Sequence, residues 1–207
     1  MKITKIIAIL FLFFCKVTMA AGPLGIGSIK IGMLPEEVRA ISSSEPVYVK
    51  SEFMPYDYTA SFPKKPNEEK FKVLLQTPYY PEAFKAVLSF TDGKLSTVYV
   101  NLAESDVTFD KFKQLITEKY GSPQEQNKMK DEQCIYKNGN SFTIKSGSID
   151  YNWFETKGQD KIKTNLSDII IDFCPINLRY ATGASKLKSL TIYVDNDADK
   201  KKEPNTF

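Results

Sequence analysis

The sequence predicts an α+β fold of two helix-plus-antiparallel-sheet halves, read as a tandem duplication, with the helices on one face of the sheet. Three observations predict it. Helical periodicity followed by strand-like alternation occurs twice along the chain. A short repeat closes each half, "GKLSTVYVN" at 93–101 and "KSLTIYVD" at 188–195. A shift of 94 positions pairs Lys94 with Lys188, Thr97 with Thr191, Tyr99 with Tyr193 and Val100 with Val194. Within both copies apolar and polar residues alternate, as in a sheet that is dry on one face and wet on the other. The division expected is a signal peptide at 1–20, a first half at 21–105, a second at 106–196 and a disordered tail at 197–207.

The first twenty residues start with Lys2 and Lys5 and no acid, followed by an apolar run from Ile6 to Phe14. That run is far short of the ~20 residues a helix needs to cross a bilayer. A basic start, a short apolar run and then small residues form a secretory signal. Thr18-Met19-Ala20 suits ordinary cleavage after Ala20. A lipid anchor on Cys15 is the lesser alternative, because Phe14 stands where a lipoprotein signal needs a small residue. The expected location is periplasmic or secreted, with no stable membrane span.

The whole chain has 28 Lys+Arg and 25 Asp+Glu. The signal holds Lys2, Lys5 and Lys16, so the rest is formally neutral. A neutral chain lacks the electrostatic footprint of a nucleic-acid binder. The run Lys200-Lys201-Lys202 sits beside Asp195, Asp197 and Asp199 and reads as a solvated tail.

Taken in order, Ile29 and Ile31 alternate with polar residues as in a short strand, which Gly32 breaks. Pro35, Glu36 and Glu37 suit the first turn of a helix, and Leu34, Val38 and Ile41 recur at helical spacing. A loop rich in Pro, Lys and Tyr spans roughly 45–70. Strand-like stretches follow at 71–77, 84–90 and 95–102, the last two joined by a hairpin turn at Asp92-Gly93. The strongest helix is 108–121, with Thr108 as N-cap, an apolar stripe of Phe109, Phe112, Leu115, Ile116 and Tyr120, and Gly121 and Pro123 as its stop. Strands are expected again at 134–137, 141–145, 149–156, 166–173, 176–182 and 187–194.

Beyond the signal, the cysteines are Cys134 and Cys174. An even count in an exported chain, both in strand-like segments, predicts a disulfide. The alternative, a reactive thiol, has no histidine anywhere in the chain to activate it.

The strand ending in "IGM", the helix start "LPEEV", the helix end "EKYGSP" and the following strand with Trp153 resemble features of small exported proteins built from a repeated helix-plus-sheet unit. The β-lactamase inhibitor protein group is one such family, and small outer-membrane-assembly lipoproteins use a single comparable unit. The resemblance rests on packing and turn motifs. It implies binding of another protein across the open sheet face, with no contact residue carried over.

The absence of His removes Ser-His-Asp and Cys-His catalysis and the commonest zinc sites. Two Ser-x-x-Lys strings, Ser61–Lys64 and Ser185–Lys188, lack the helix that serine-lactamase chemistry requires. Asp150 and Glu155 flank "YNWF", which could serve a glycosidase; the favoured reading is a strand with Tyr151 and Trp153 on one face and Asn152 and Phe154 on the other. No Gly-rich phosphate loop follows a strand. No cofactor, metal or catalytic residue is therefore assigned.

The tyrosines carry the functional expectation. Tyr56, Tyr58, Tyr79 and Tyr80 stand beside prolines, which limit loop freedom and so the ordering cost of binding. The alternative is that they cover sheet edges. Tyr99 and Tyr193 fall opposite the Val/Ile/Leu set of their strands, on the open face. The leading expectation is an exported, non-catalytic protein-binding domain, an inhibitor or immunity protein blocking an enzyme or toxin. A carboxylate-dependent envelope hydrolase and a structural or assembly component of the envelope are the alternatives.

Overall fold

Apolar residues alternate with polar ones through most of 68–101 and 141–194, and that alternation builds a sheet with one dry face. The computed structural model of the chain describes residues 22–59, 63–102, 105–174 and 184–195. The expected signal peptide with Cys15, Ser61, the strand at 176–182 and the tail at 197–207 lie outside the described residues.

The chain opens with a two-stranded hairpin, β1 (Gly25–Ile26) and β2 (Ile29–Lys30), followed by α1 (Pro35–Arg39). Two short strands come next, β3 (Tyr48–Val49) and β4 (Met54–Pro55). A meander of β5 (Glu68–Thr77), β6 (Tyr80–Thr91) and β7 (Lys94–Asn101) precedes the long helix α2 (Asp106–Tyr120). The remainder is β8 (Gln124–Asn127), β9 (Lys130–Ile135), β10 (Ser141–Lys157), β11 (Asp160–Ile171) and β12 (Ser185–Val194). Strands β3 to β12 make one ten-stranded sheet in the order β3-β5-β6-β7-β12-β11-β10-β8, with β4 also on β5 and β9 also on β10. Every pairing is antiparallel.

This corrects the expected fold class. The protein is a largely β fold, 55% strand and 12% helix over the described residues, and not two helix-plus-sheet halves. The physical reason lies in α1. Its start signals hold: Pro35 is at the first turn, and the Leu34 N–H donates to Glu37 Oε2 at 2.7 Å. But it ends after five residues, because Ser42, Ser43 and Ser44 offer no apolar face to continue it. One turn cannot cover a sheet. The strand content also exceeds expectation, since β10 alone runs seventeen residues.

A single layer therefore covers the dry face. Val73, Leu75, Leu88, Phe90, Val98, Val100, Leu166, Leu190 and Ile192 point into it and are buried. Over them lie α2, through Phe109, Phe112 and Ile116, and the segment from the first hairpin to Val47, through Ile26, Ile29, Ile31 and Val38. Phe112 meets Phe84 edge-on at 5.8 Å, and Phe109 lies 6.1 Å from Tyr151. The α2 cap is Ser105 and not Thr108: the Thr108 N–H donates to Ser105 Oγ at 3.2 Å, so the helix starts two residues early. At its other end Trp153 Nε1 donates to the Gly121 carbonyl at 2.8 Å, joining helix and sheet.

The sheet edges are broken. On one side β3 and β4 share β5 as two separate two-residue strands; on the other β8 and β9 share β10. β10 changes partner near Gly147, whose φ is 126°. A Cβ there would sit 2.3 Å from the Lys128 carbonyl oxygen, so glycine lets the two backbones cross. Beyond that point β9 and the first part of β10 form a ribbon, held to the end of β11 by the Cys134–Cys174 disulfide with Cα atoms 5.4 Å apart.

Candidate protein-binding face

The strand register fixes which side chains share the wet face. Tyr99 lies opposite Thr191 on β12, and Tyr193 opposite Thr97 on β7. Both tyrosines therefore occupy one face at the centre of the sheet, on diagonal neighbouring positions, with Val98 and Ile192 on the other side. From Tyr193 a row runs outward through Lys163 to Phe154, and in the other direction through Thr97 and Ser89 to Lys70. The Tyr56 N–H donates to the Lys70 carbonyl at 3.0 Å, which carries the row to the sheet margin.

Lysines lie over the rings of this row. Lys163 Nζ is 5.7 Å from the Phe154 ring and 6.0 Å from that of Tyr193. Lys70 Nζ is 5.9 Å from both Tyr56 and Tyr58, which meet edge-on at 5.6 Å. Lys72 pairs with Asp57 and lies 5.8 Å from the Tyr56 ring. Burial, with Tyr56 nearby, holds the Tyr99 hydroxyl above its ordinary titration range, so it remains a neutral donor at physiological pH.

Tyr79 and Tyr80 are not part of this face. They stand at the β5–β6 turn on the helix side: Tyr79 meets Phe112 edge-on at 6.2 Å, and Tyr80 stacks on Phe84 at 5.2 Å. The structure thus brings together Tyr56, Tyr58, Tyr99 and Tyr193 and places the other two against the core layer.

A polar cluster that the sequence reading did not assemble lies at the far end of the same face. Ser167 Oγ donates to Asp150 Oδ1 at 2.6 Å, and Ser148 Oγ to Asp150 Oδ2 at 3.1 Å. Asn165 Nδ2 donates to Asn152 Oδ1 at 3.0 Å. Burial opposes the charge on Asp150, but the bonds from Ser167, Asn165 and Ser148 outweigh it and hold the carboxyl below its usual range. Glu155 is five positions along β10 and points to the opposite face, in register with Ile162. Asp150 and Glu155 therefore do not form a carboxylate pair across one site. Tyr151 and Trp153 are buried on the dry face, and Asn152 and Phe154 share the wet one.

No protein-family model matches the chain, and neither does any curated protein or solved structure. The resemblance to the β-lactamase inhibitor proteins accordingly rests on packing motifs alone.

One charged group was missed. Lys188 is 3% exposed and points to the dry side, where its Nζ is 3.0 Å from Asp106 and 2.5 Å from Asp168. It also lies 4.8 Å from the Phe109 ring. The signal was present: Lys188 has the same parity as Leu190 and Ile192, the residues that point inward. The cluster fastens the start of α2 to the sheet. Among the described residues, no group of three His, Cys, Asp or Glu side chains could hold a metal ion, and no helix is long and apolar enough to cross a membrane.

Proposed function

We propose that this chain is an exported, non-catalytic protein-binding domain, an inhibitor or immunity protein that engages an enzyme or toxin through the wet face of its sheet. The observation that carries the reading is the arrangement of Tyr56, Tyr99 and Tyr193 on one face spanning β4 to β12, opposite the face that α2 covers. Tyrosine supplies large contact area with only two side-chain torsions to freeze, and strands hold those side chains in place before a partner arrives. The lack of any histidine supports a binding role over a catalytic one.

The test is site-specific photocrosslinking in the producing cells. A photoreactive phenylalanine analogue at position 99 or 193 should trap one discrete protein, whereas the same probe at Val107, 82% exposed on α2, should not. Equal trapping from all three positions, or none from 99 and 193, removes the sheet face as the site.

A further inference from the structure

A pocket of about 170 Å³ lies between α2 and the β1–β2 hairpin, on the opposite side of the sheet from the tyrosine face. Its floor is apolar. Ile26, Phe112, Ile116, Leu190 and Ile192 line it and are all buried. Its rim is cationic: Lys30 comes from the hairpin and Lys119 from the last turn of α2, both on the exposed side.

Among the described residues the two lysines have no carboxylate partner, although Lys119 Nζ lies 5.2 Å from the Tyr120 ring. Neither forms an ion pair among the described residues. Burial, and then the charge of Lys119, pull Lys30 below the usual lysine range, which sets the two side chains against each other beside apolar surface. An anion placed between them relieves that repulsion. The floor sets the other half of the ligand: an apolar cavity of about 150 Å³ is enough to hold a benzene ring. Neither feature alone selects a ligand. A purely apolar molecule leaves the cations unpaired, and a bare inorganic anion leaves the floor unfilled.

We propose that this pocket binds a small aromatic carboxylate, its ring on the Phe112–Leu190 floor and its carboxylate between Lys30 and Lys119. The site is independent of the protein-binding face and stands whether or not that face binds a partner.

Benzoate and its neutral counterpart benzyl alcohol are the probes, titrated into the purified protein and followed by amide NMR shifts. Saturable shifts in α2 and the β1–β2 hairpin are expected with benzoate, and at least about tenfold weaker binding with benzyl alcohol, or ~1.4 kcal/mol. In a Lys30→Gln/Lys119→Gln double variant, benzoate affinity should fall to that of the alcohol. Both lysines are exposed, so the fold should survive, and an unchanged melting curve checks this. A second variant, Leu115→Phe, fills the pocket from its half-buried wall and should abolish binding of both probes. Absence of saturation with benzoate, equal affinity for the two probes, or undiminished benzoate binding in the double variant overturns the proposal and marks the pocket as a packing void.

Discussion

Val98 and Ile192 face each other at the join of β7 and β12, and the two copies of the Thr-x-Tyr pattern are arranged symmetrically about that pair. Tyr99 falls opposite Thr191 and Tyr193 opposite Thr97, so each tyrosine has a threonine as its direct neighbour. If this centre anchors a partner, Tyr99→Ala and Tyr193→Ala should each weaken binding at least tenfold, about 1.4 kcal/mol, as central tyrosines in contacts commonly do. Folding should barely change, because both side chains are on the wet face. Titration of the crosslinked partner against each variant checks this. Unchanged affinity in both would move the contact to Tyr56 and Tyr58 or off the sheet, and loss of the fold would mean the faces are reversed.

Phe112 is 4% exposed and meets both Phe84 and Tyr79 edge-on. Phe112→Ala should cost about 3–5 kcal/mol, from lost transfer energy and the cavity left behind. Equilibrium urea unfolding measures it. A midpoint close to that of the parent would show that α2 contributes little to covering the sheet.

Reduction of Cys134–Cys174, or Cys134→Ser, should lower stability by about 2–5 kcal/mol, since the bond closes a loop of 40 residues in the unfolded chain. Non-reducing peptide mapping should first show the linked pair. Two freely alkylated thiols in native material would reject the crosslink.

The Lys188 cluster should shape stability at both ends of the pH scale. Its bond and charge hold Asp106 below the usual carboxyl range, so that contribution is present above the unfolded aspartate pKa and is lost as pH falls through the folded one. Burial opposes the charge on Lys188, but Asp168 and Asp106 outweigh it and raise its pKa. Its contribution is therefore complete below the unfolded lysine pKa and is lost as pH rises through the higher folded value. Lys188→Ala should cost about 2 kcal/mol or more near neutrality, less than a fully buried pair because Asp106 is exposed. It should also flatten both limbs of the profile. Urea midpoints measured across pH for parent and variant decide this, and parallel profiles would refute it.

Gly147→Ala should destabilise by roughly 1–3 kcal/mol, the cost of a side chain held at positive φ, plus whatever displacement the Lys128 carbonyl requires. A neutral result in thermal melts would show that the crossing of the two backbones relaxes freely.

Local signals carried much of this architecture. The Asp92-Gly93 hairpin was readable because a two-residue turn needs left-handed φ at both positions, and here they are 50° and 74°. Alternation assigned the faces of β7, β10 and β12 correctly because a sheet with one dry face imposes period two on every strand. The same rule located Tyr99 and Tyr193. Tyr79 and Tyr80 lie on the helix side, apart from Tyr56 and Tyr58, a separation that adjacency to proline does not reveal, because it says nothing about which side of a sheet a turn folds toward. The helical first half failed for a different reason. Start signals in "LPEEV" are local, but helix length depends on an apolar stripe, and that stripe stops before Ser42. The Asp150 cluster joins β10 to β11 across the register of a long hairpin, which no single-segment pattern reveals.

The segmented margins of the sheet restrict how this molecule meets others. A neighbouring chain that tried to add itself as an extra strand would find only two-residue stubs at β3 and β4, one of them ending in Pro55, and four- and six-residue pieces at β8 and β9. No long run of free main-chain donors and acceptors is on offer at either margin among the described residues. A partner bound as proposed would therefore meet side chains standing up from the sheet, and not a backbone template that accepts almost any extended peptide. A ten-stranded sheet that ends in short stubs at both margins has the edge pattern that discourages pairing with a second copy of itself.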